Sequence, residues 1–136
     1  MEIKVGTVRL PNTPLTNHQL LAAAKKLKIP LRGVYLRNTL PKNPKLTECG
    51  ILNLDTLAGQ GTHWVCWDTR SGITQYFDSF GVQPPIEITN YARSHVSYNT
   101  EQVQPRDQVF CGHLCLYVLS EIQKHGDLQR VVSLLY

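Results

Sequence analysis

The clearest hydrophobic pattern in the chain lies in its last third. From Leu114 to Ile122, apolar side chains recur at steps of three and four, which is the spacing of a helix with one face in a core. Cys111 and Gly112 stand at the predicted start of this helix, and Gly126 marks its end. Cys111 therefore falls in the first turn, where unpaired backbone N–H groups and the helix dipole favour a thiolate. A cysteine that only packs in the core is the commoner alternative.

Shorter elements alternate with breaks in the rest of the chain. Thr16 or Asn17 can cap a first helix, which Pro30 ends. The predicted buried stripe of this helix consists of Leu20, Leu21, Ala24 and Leu27. The pattern also predicts strands at 33–36, 50–54, 62–67, 73–77 and 95–98, and a short helix at 86–93. A last short helix is predicted to cover the core with Val131, Val132, Leu134 and Leu135.

The strands at 62–67 and 73–77 form a predicted hairpin that pairs a histidine with an acid. If the turn is centred just after Arg70, His63 lies opposite Asp78, with Cβ atoms about 5 Å apart. If the turn lies one residue later, His63 faces Phe80 and Asp78 is diagonal to it. Asp68 is a poorer partner in either register, because it lies on the other face of the strand from His63.

These residues together predict an activated thiol. A cysteine at a helix start, a histidine as general base and an acid that orients the histidine are the parts of a nucleophilic catalyst. Gln104 lies on the loop that leads to Cys111, where its amide can donate to an oxyanion beside the Cys111 N–H. Gln102 and Gln108 remain alternatives for this role.

Zinc binding is a competing interpretation of the same thiols. Cys111, His113 and Cys115 form a C-x-H-x-C sequence, which His63 and Cys66 can complete. On a helix, however, His113 points away from the two cysteines, and on a strand His63 and Cys66 face opposite sides. We therefore expect no metal. The other cysteines are expected to be core residues: Cys49, Cys66 and Cys115.

Length and composition predict a single domain spanning 1–136, with 1–15 as an N-terminal arm or edge strand. Of its 136 residues, 42% are hydrophobic, which is enough apolar material for one core. The predicted elements suggest an α+β domain with a mostly antiparallel central sheet and the helix after Cys111 packed on it. No apolar run approaches a membrane span and no secretory signal opens the chain, so we expect an intracellular protein with reduced thiols. The net charge of +4 is scattered, and it indicates a DNA partner only weakly.

Three motifs, GTHW, YFDSFG and QPRDQVFCG, resemble the adenovirus maturation protease, adenain, and similar proteases of virophages and polinton-type viruses. The chain is more distantly similar to Ulp-type SUMO proteases, which share an aspartate at the position of Asp78. The resemblance implies a papain-like or adenain-like cysteine protease fold. It also implies Cys111 as nucleophile, His63 as base, Asp78 as the third member and Gln104 as the oxyanion-hole side chain. Trp64 is then implied to wall the groove that receives small residues such as Gly.

The function implied by this resemblance is that of a viral maturation cysteine endopeptidase. Its substrates and partners would be capsid and other virion precursor polypeptides, cleaved in the host cytoplasm or nucleus and in the virion, away from membranes. No cofactor is required for the chemistry, although activation by DNA or a viral peptide belongs to the same resemblance. A deconjugating protease for a ubiquitin-like modifier, or a non-catalytic binding module of the same fold, is the alternative.

Overall fold

The fold is a mixed α+β arrangement of seven strands and four helices in a computed structural model that describes residues 2–55, 63–93, 95–104 and 109–135. The elements in chain order are β1 (Glu2–Val5), β2 (Val8–Pro11), α1 (Asn17–Lys26), β3 (Leu31–Leu36), β4 (Glu48–Asn53), β5 (Trp64–Arg70), β6 (Ile73–Phe77), α2 (Ile86–Ala92), β7 (Val96–Tyr98), α3 (Cys111–His125) and α4 (Leu128–Leu135). The predicted α+β class is confirmed. Thr62, the predicted first residue of a strand, lies outside the described residues.

The central sheet has five strands in the order β3-β4-β5-β6-β7. The inner pairs β4-β5 and β5-β6 are antiparallel, as predicted, whereas the outer pairs β3-β4 and β6-β7 are parallel. Successive residues of a strand face opposite sides of a sheet, so the strands feed two apolar clusters. One cluster contains Ile51, Cys66 and Phe77 with α1, α3 and α4. The other contains Leu52, Trp67 and α2 side chains, so helices cover both faces.

The hairpin of β5 and β6 turns one residue later than our first register assumed. Arg70 pairs with Ile73 and Cys66 with Phe77, which is the second of the two registers considered. Ser71 and Gly72 in the turn both have positive φ, 52° and 79°. Two positive φ values are the mark of a tight hairpin turn that follows the right-handed twist of the strands. The direct opposition of the predicted histidine and acid is therefore wrong.

Residues at the N-terminus form a hairpin rather than an arm or an edge strand of the main sheet. Strands β1 and β2 pair antiparallel in a two-stranded sheet of their own, turning at Gly6 with φ of 58°. The hairpin and the segment after it contribute four buried core side chains: Val5, Val8, Leu10 and Leu15. Strand β1 also packs against α3, so this hairpin is part of the core that supports the later helix.

Helix α1 begins at the predicted cap. The Thr16 side chain accepts from the Gln19 N–H, and the Gln19 side chain accepts from the Thr16 N–H, which makes a reciprocal capping box. Leu20, Ala23 and Ala24 are buried, but Leu21 is 43% exposed, so placing Leu21 in the buried stripe is wrong. The face at steps of three and four passes through position 23, and Leu21 lies about a quarter turn away from it.

Helix α3 packs across β5 and ends at Gly126, whose φ of 76° gives the left-handed cap that the sequence predicts. Helix α4 buries Val131 and Val132 as predicted, but Leu134 is 61% exposed and does not cover the core. The remaining cysteines, Cys49, Cys66 and Cys115, are all buried as expected. In the part of the chain that the structure describes, no helix is long and apolar enough to cross a membrane.

Candidate active site

A histidine and an aspartate meet where β5 begins and β6 ends. His63 Nε2 lies 2.6 Å from Asp78 Oδ1, and both side chains are buried. Phe80 stacks on the His63 ring with centroids 4.2 Å apart and planes 4° apart. The Phe80 N–H donates to Asp78 Oδ1 over 2.8 Å, so this oxygen accepts from the ring and from the backbone. The diagonal arrangement of the later turn thus places the histidine between the acid and the aromatic ring.

Cys111 is the first residue of α3, and its thiol faces the start of β5. The Trp64 N–H donates to Cys111 Sγ over 3.4 Å. The His63 imidazole also acts on the thiol and lowers its pKa. Asp78 engages Nε2 of His63, which leaves Nδ1 as the ring nitrogen for this interaction. The predicted cysteine, histidine and acid are therefore brought together in one chain of contacts.

At Cys111 and His63, hydrogen bonds and burial shift the pKa values in opposite directions. Burial by itself raises the pKa of the Cys111 thiol, but the His63 imidazole and the Trp64 N–H hold that pKa below its ordinary value. Burial lowers the pKa of His63, but hydrogen bonds with Asp78 and Cys111 outweigh this and raise it to about 9. Opposite shifts of this kind favour a thiolate next to an imidazolium at neutral pH. By contrast, burial raises the pKa of Cys49 to about 12.

Gln104 lies beside the acid, just after β7, and is 1% exposed. Its Oε1 accepts from Ser79 Oγ over 2.7 Å, and its backbone N–H donates to the Ser79 carbonyl over 3.1 Å. Gln102 is turned to the backbone instead, since its Nε2 donates to the Gln104 carbonyl over 2.9 Å. Gln108, the other alternative, lies outside the described residues. The oxyanion role of Gln104 stays a prediction.

Trp64 packs against the first turn of α3. A Cβ added to Gly112 would lie 3.2 Å from Trp64 Cδ1 and 3.3 Å from Leu15 Cδ1, so any larger residue there would have to push these side chains back by a few tenths of an ångström. The indole Nε1 donates to the Leu15 carbonyl over 2.9 Å, which fixes the plane of the ring. Trp64 is partly exposed beside Cys111, where a groove wall is expected, and its contact with substrate stays a prediction.

The residues of the zinc alternative do not converge. His113 Nε2 lies 2.7 Å from the Pro11 carbonyl, so this ring is turned to the N-terminal hairpin. Cys115 is fully buried, and Cys66 Sγ is 4.0 Å from the Cys115 carbonyl. Within the described ranges, no group of three or more His, Cys, Asp or Glu side chains could hold a metal ion.

Two supporting residues were missed by sequence reasoning. Ser79 bonds Gln104, and Asn99 holds Asp78 from both sides, accepting from its N–H over 3.0 Å and donating to its carbonyl over 2.6 Å. These contacts join positions 25 and 21 residues apart. No local spacing rule predicts such a pair, because the two segments meet only in the folded chain.

Comparison with known proteins supports the fold. No protein-family model matches the chain, and no curated protein matches it. A crystal structure of the ASFV pS273R protease is similar, with a TM-score of 0.59 and 18% identity over 90% of this chain and 62% of that chain. Its selenomethionine form gives a TM-score of 0.58 and 16% identity over 93% and 66%. The chain thus spans less than two thirds of the pS273R structures, and it has the mixed α+β fold of the ASFV pS273R protease.

Proposed function

We propose that the protein is a cysteine endopeptidase with Cys111 as its nucleophile. The observation that carries the proposal is the position of His63, whose Nε2 lies 2.6 Å from Asp78 Oδ1 and whose imidazole lowers the pKa of the Cys111 thiol. The thiol is also the one at a helix start that receives a backbone N–H. The likeness of the fold to that of the ASFV pS273R protease supports the same conclusion.

The mechanism that follows is acyl transfer. The Cys111 thiolate attacks a peptide carbonyl carbon, and the new oxyanion is held by the Gln104 amide and the Cys111 N–H. The His63 imidazolium gives its proton to the leaving amine, and neutral His63 then takes a proton from the water that hydrolyses the thioester. Asp78 keeps the ring oriented and stabilises its charged form throughout.

The substrates we propose are the capsid and virion precursors of an adenain-like viral protease, cleaved after small residues such as Gly. Trp64, partly exposed and packed against the first turn of α3, supports this choice because a large ring beside Cys111 narrows the space for a substrate side chain. Activation by DNA or by a viral peptide, and work in the infected cell and the virion, belong to the same proposal. A peptide joined by a disulfide is disfavoured, since the chain has no cysteine between Cys66 and Cys111.

The pH dependence of alkylation tests the proposed thiolate. We expect iodoacetamide to label Cys111 rapidly below pH 7 in the wild type, with mass spectrometry locating the label, and slowly in His63→Ala. Cys115→Ala is the matched control on the same helix, and it should leave the labelling of Cys111 unchanged. Labelling that follows an ordinary thiol pKa of about 8.5 in both proteins would contradict the proposal.

Cleavage is tested with a fluorogenic peptide that carries Gly-Gly before the leaving group. Wild type should release the fluorophore, and Cys111→Ala should not. Equal release by the two proteins would contradict the proposed role of Cys111 in peptide cleavage.

A further inference from the structure

Ser79 holds the side chain of Gln104 in one orientation. The Ser79 side chain is fully buried, and its Oγ donates to Gln104 Oε1 over 2.7 Å. A buried hydrogen bond of this length between two side chains that are at most 1% exposed is not exchanged for water. The amide of Gln104 therefore has its oxygen directed at Ser79.

The backbone of Ser79 fixes the position of the same residue. Its carbonyl accepts from the Val103 N–H over 2.9 Å and from the Gln104 N–H over 3.1 Å. The next turn of the segment is equally close, since a Cβ at Gly81, where φ is 73°, would lie 2.7 Å from the Thr100 carbonyl oxygen. Ser79 thus sets both where Gln104 lies and which way its amide faces.

The orientation matters because the two ends of an amide are chemically opposite. With Oε1 directed at Ser79, the NH₂ group is the end turned away from it, and NH₂ donates while the oxygen can only accept. A rotated amide would present an acceptor to a developing negative charge and would repel it. In the structure the Ser79 hydroxyl donates to Oε1, and this bond holds the amide in the rotamer that directs NH₂, the end an oxyanion needs, away from Ser79.

We propose that Ser79 is a positioning residue that directs the Gln104 amide into the oxyanion hole, an inference that rests on the proposed protease function. Ser79 acts through Gln104, whereas other residues hold Asp78 in place. Asp78 is held by Asn99 at its N–H and carbonyl, and its Oδ1 by Phe80 and His63. Loss of the Ser79 hydroxyl should therefore weaken acyl transfer without altering the thiolate.

A double-mutant cycle between Ser79→Ala and Gln104→Ala tests this inference with the Gly-Gly fluorogenic peptide. Removing an oxyanion donor costs about 100-fold or more in kcat, which is the loss expected for Gln104→Ala. Ser79→Ala should lower kcat about tenfold and change KM less than about twofold. In the Gln104→Ala background, the same change should lower kcat less than about twofold, because the amide it directs is gone.

Alkylation of Cys111 at pH 6 separates positioning from general damage, because the reaction with iodoacetamide makes no oxyanion. Ser79→Ala should alkylate at the wild-type rate. The control is Thr74→Val, which removes a buried hydroxyl bonded to Thr69 at 2.8 Å on the strand that leads to Ser79. It should lower the Tm by a similar amount and leave kcat unchanged.

Three results would overturn the inference. These are an equal loss of kcat from Ser79→Ala in both backgrounds, slower alkylation in Ser79→Ala, and a loss of kcat in Thr74→Val as large as that in Ser79→Ala. If cleavage needs Cys111 and Gln104 but not Ser79, only the role of Ser79 fails. If no peptide cleavage depends on Cys111, the proposed function fails with it.

Discussion

Charge and hydrogen bonding, not exposure, distinguish the reactive thiol from the others. Cys111, Cys49 and Cys115 are all buried, at 9%, 1% and 0% exposure. Burial raises the pKa of all three thiols, but only at Cys111 do the imidazole and a backbone N–H reverse the shift. Cys115 lies one helical turn after Cys111, so a step of four residues separates a thiol whose pKa is lowered from one whose pKa is raised.

The raised pKa of His63 predicts how stability depends on pH. The folded pKa is about 9, above the ordinary 6.5, so the folded protein binds more protons than the unfolded chain between these values. The free energy of unfolding gained from this group is therefore fully present below about pH 6.5 and is lost as pH rises through about 9. The lowered pKa of Cys111 works in the opposite direction over this range, so the decline should be seen in a protein without that thiol, by urea unfolding of Cys111→Ala at pH 6, 7, 8 and 9.

Asp78→Asn supplies the comparison for this experiment, because an amide cannot stabilise the imidazolium as a carboxylate does. In the same Cys111→Ala background, its stability should fall less steeply over this pH range, so the two curves converge toward pH 9. A Cys111→Ala stability that is flat or rising between pH 6.5 and 9 would contradict the assigned shift.

The side chains of the candidate site could be singled out from the sequence, whereas the residues that hold them could not. Cys111 was marked by its place at a helix start, and Asp78 by its distance from His63 along a hairpin, which tolerated an error of one residue in the turn. Ser79 and Asn99 carry no such signal. Small polar residues are common in loops, and only the meeting of two distant segments gives these two a role.

The elements themselves followed local signals closely. The capping box at Thr16 and the glycine at position 126 set the helix ends where the pattern predicts them. The turn of the hairpin was also readable, since Ser-Gly is a turn dipeptide that accepts positive φ, and it should have outweighed a turn centred after Arg70. Leu21 and Leu134 were misplaced because a short helix buries one narrow face, and several apolar positions compete for it.

Strand β5 is tied to the segment before α1 by the Trp64 side chain. Trp64→Phe keeps a ring but removes the N–H that bonds the Leu15 carbonyl. We expect a loss of about 1 kcal/mol in the free energy of unfolding, because a carbonyl loses its donor. Iodoacetamide should also label Cys111 more slowly at pH 6. Without the indole bond to Leu15, the backbone N–H of residue 64, which donates to the Cys111 thiol, is no longer held in place.

Trp67→Phe is the matched control on the same strand. Its indole Nε1 donates to Glu48 Oε2 over 2.9 Å on the other face of the sheet, away from the thiol. This change should cost at least as much stability and leave the labelling of Cys111 unchanged. Equal slowing in both variants would mean that labelling reports only stability and that Trp64 has no special position.

The order of the complete sheet lay beyond sequence reasoning. Antiparallel neighbours joined by a short turn are predictable from local signals, as for β5 and β6. The parallel partners β3-β4 and β6-β7 are joined by longer connections. The alternation of apolar residues does not indicate beside which strand such a connection returns to the sheet. The N-terminal hairpin was missed for the same reason, because its partner is the distant helix α3.

Removal of this hairpin should prevent folding. The segment 2–15 buries Val5, Val8, Leu10 and Leu15, and each buried side chain of this kind contributes about 1.5–3 kcal/mol. Their sum is comparable with the whole stability of a small domain, about 5–15 kcal/mol. A chain that starts at Thr16 should therefore give no cooperative urea transition by circular dichroism, whereas Leu21→Ala, at an exposed position, should unfold much as the wild type does. A cooperative transition in the shortened chain would show that the hairpin is not needed for folding.

The bond between Pro11 and His113 also has a consequence for synthesis on the ribosome. It spans 102 residues, and it joins the first hairpin of the molecule to the helix that begins at Cys111. The seven described strands are all translated before α3, so the nascent chain contains His63 and Asp78 before it contains Cys111. Closing so long a loop is slow and needs the strands to be in place first. Under the proposed function, the growing polypeptide therefore has no nucleophile with which to attack itself or its neighbours until α3 has been translated.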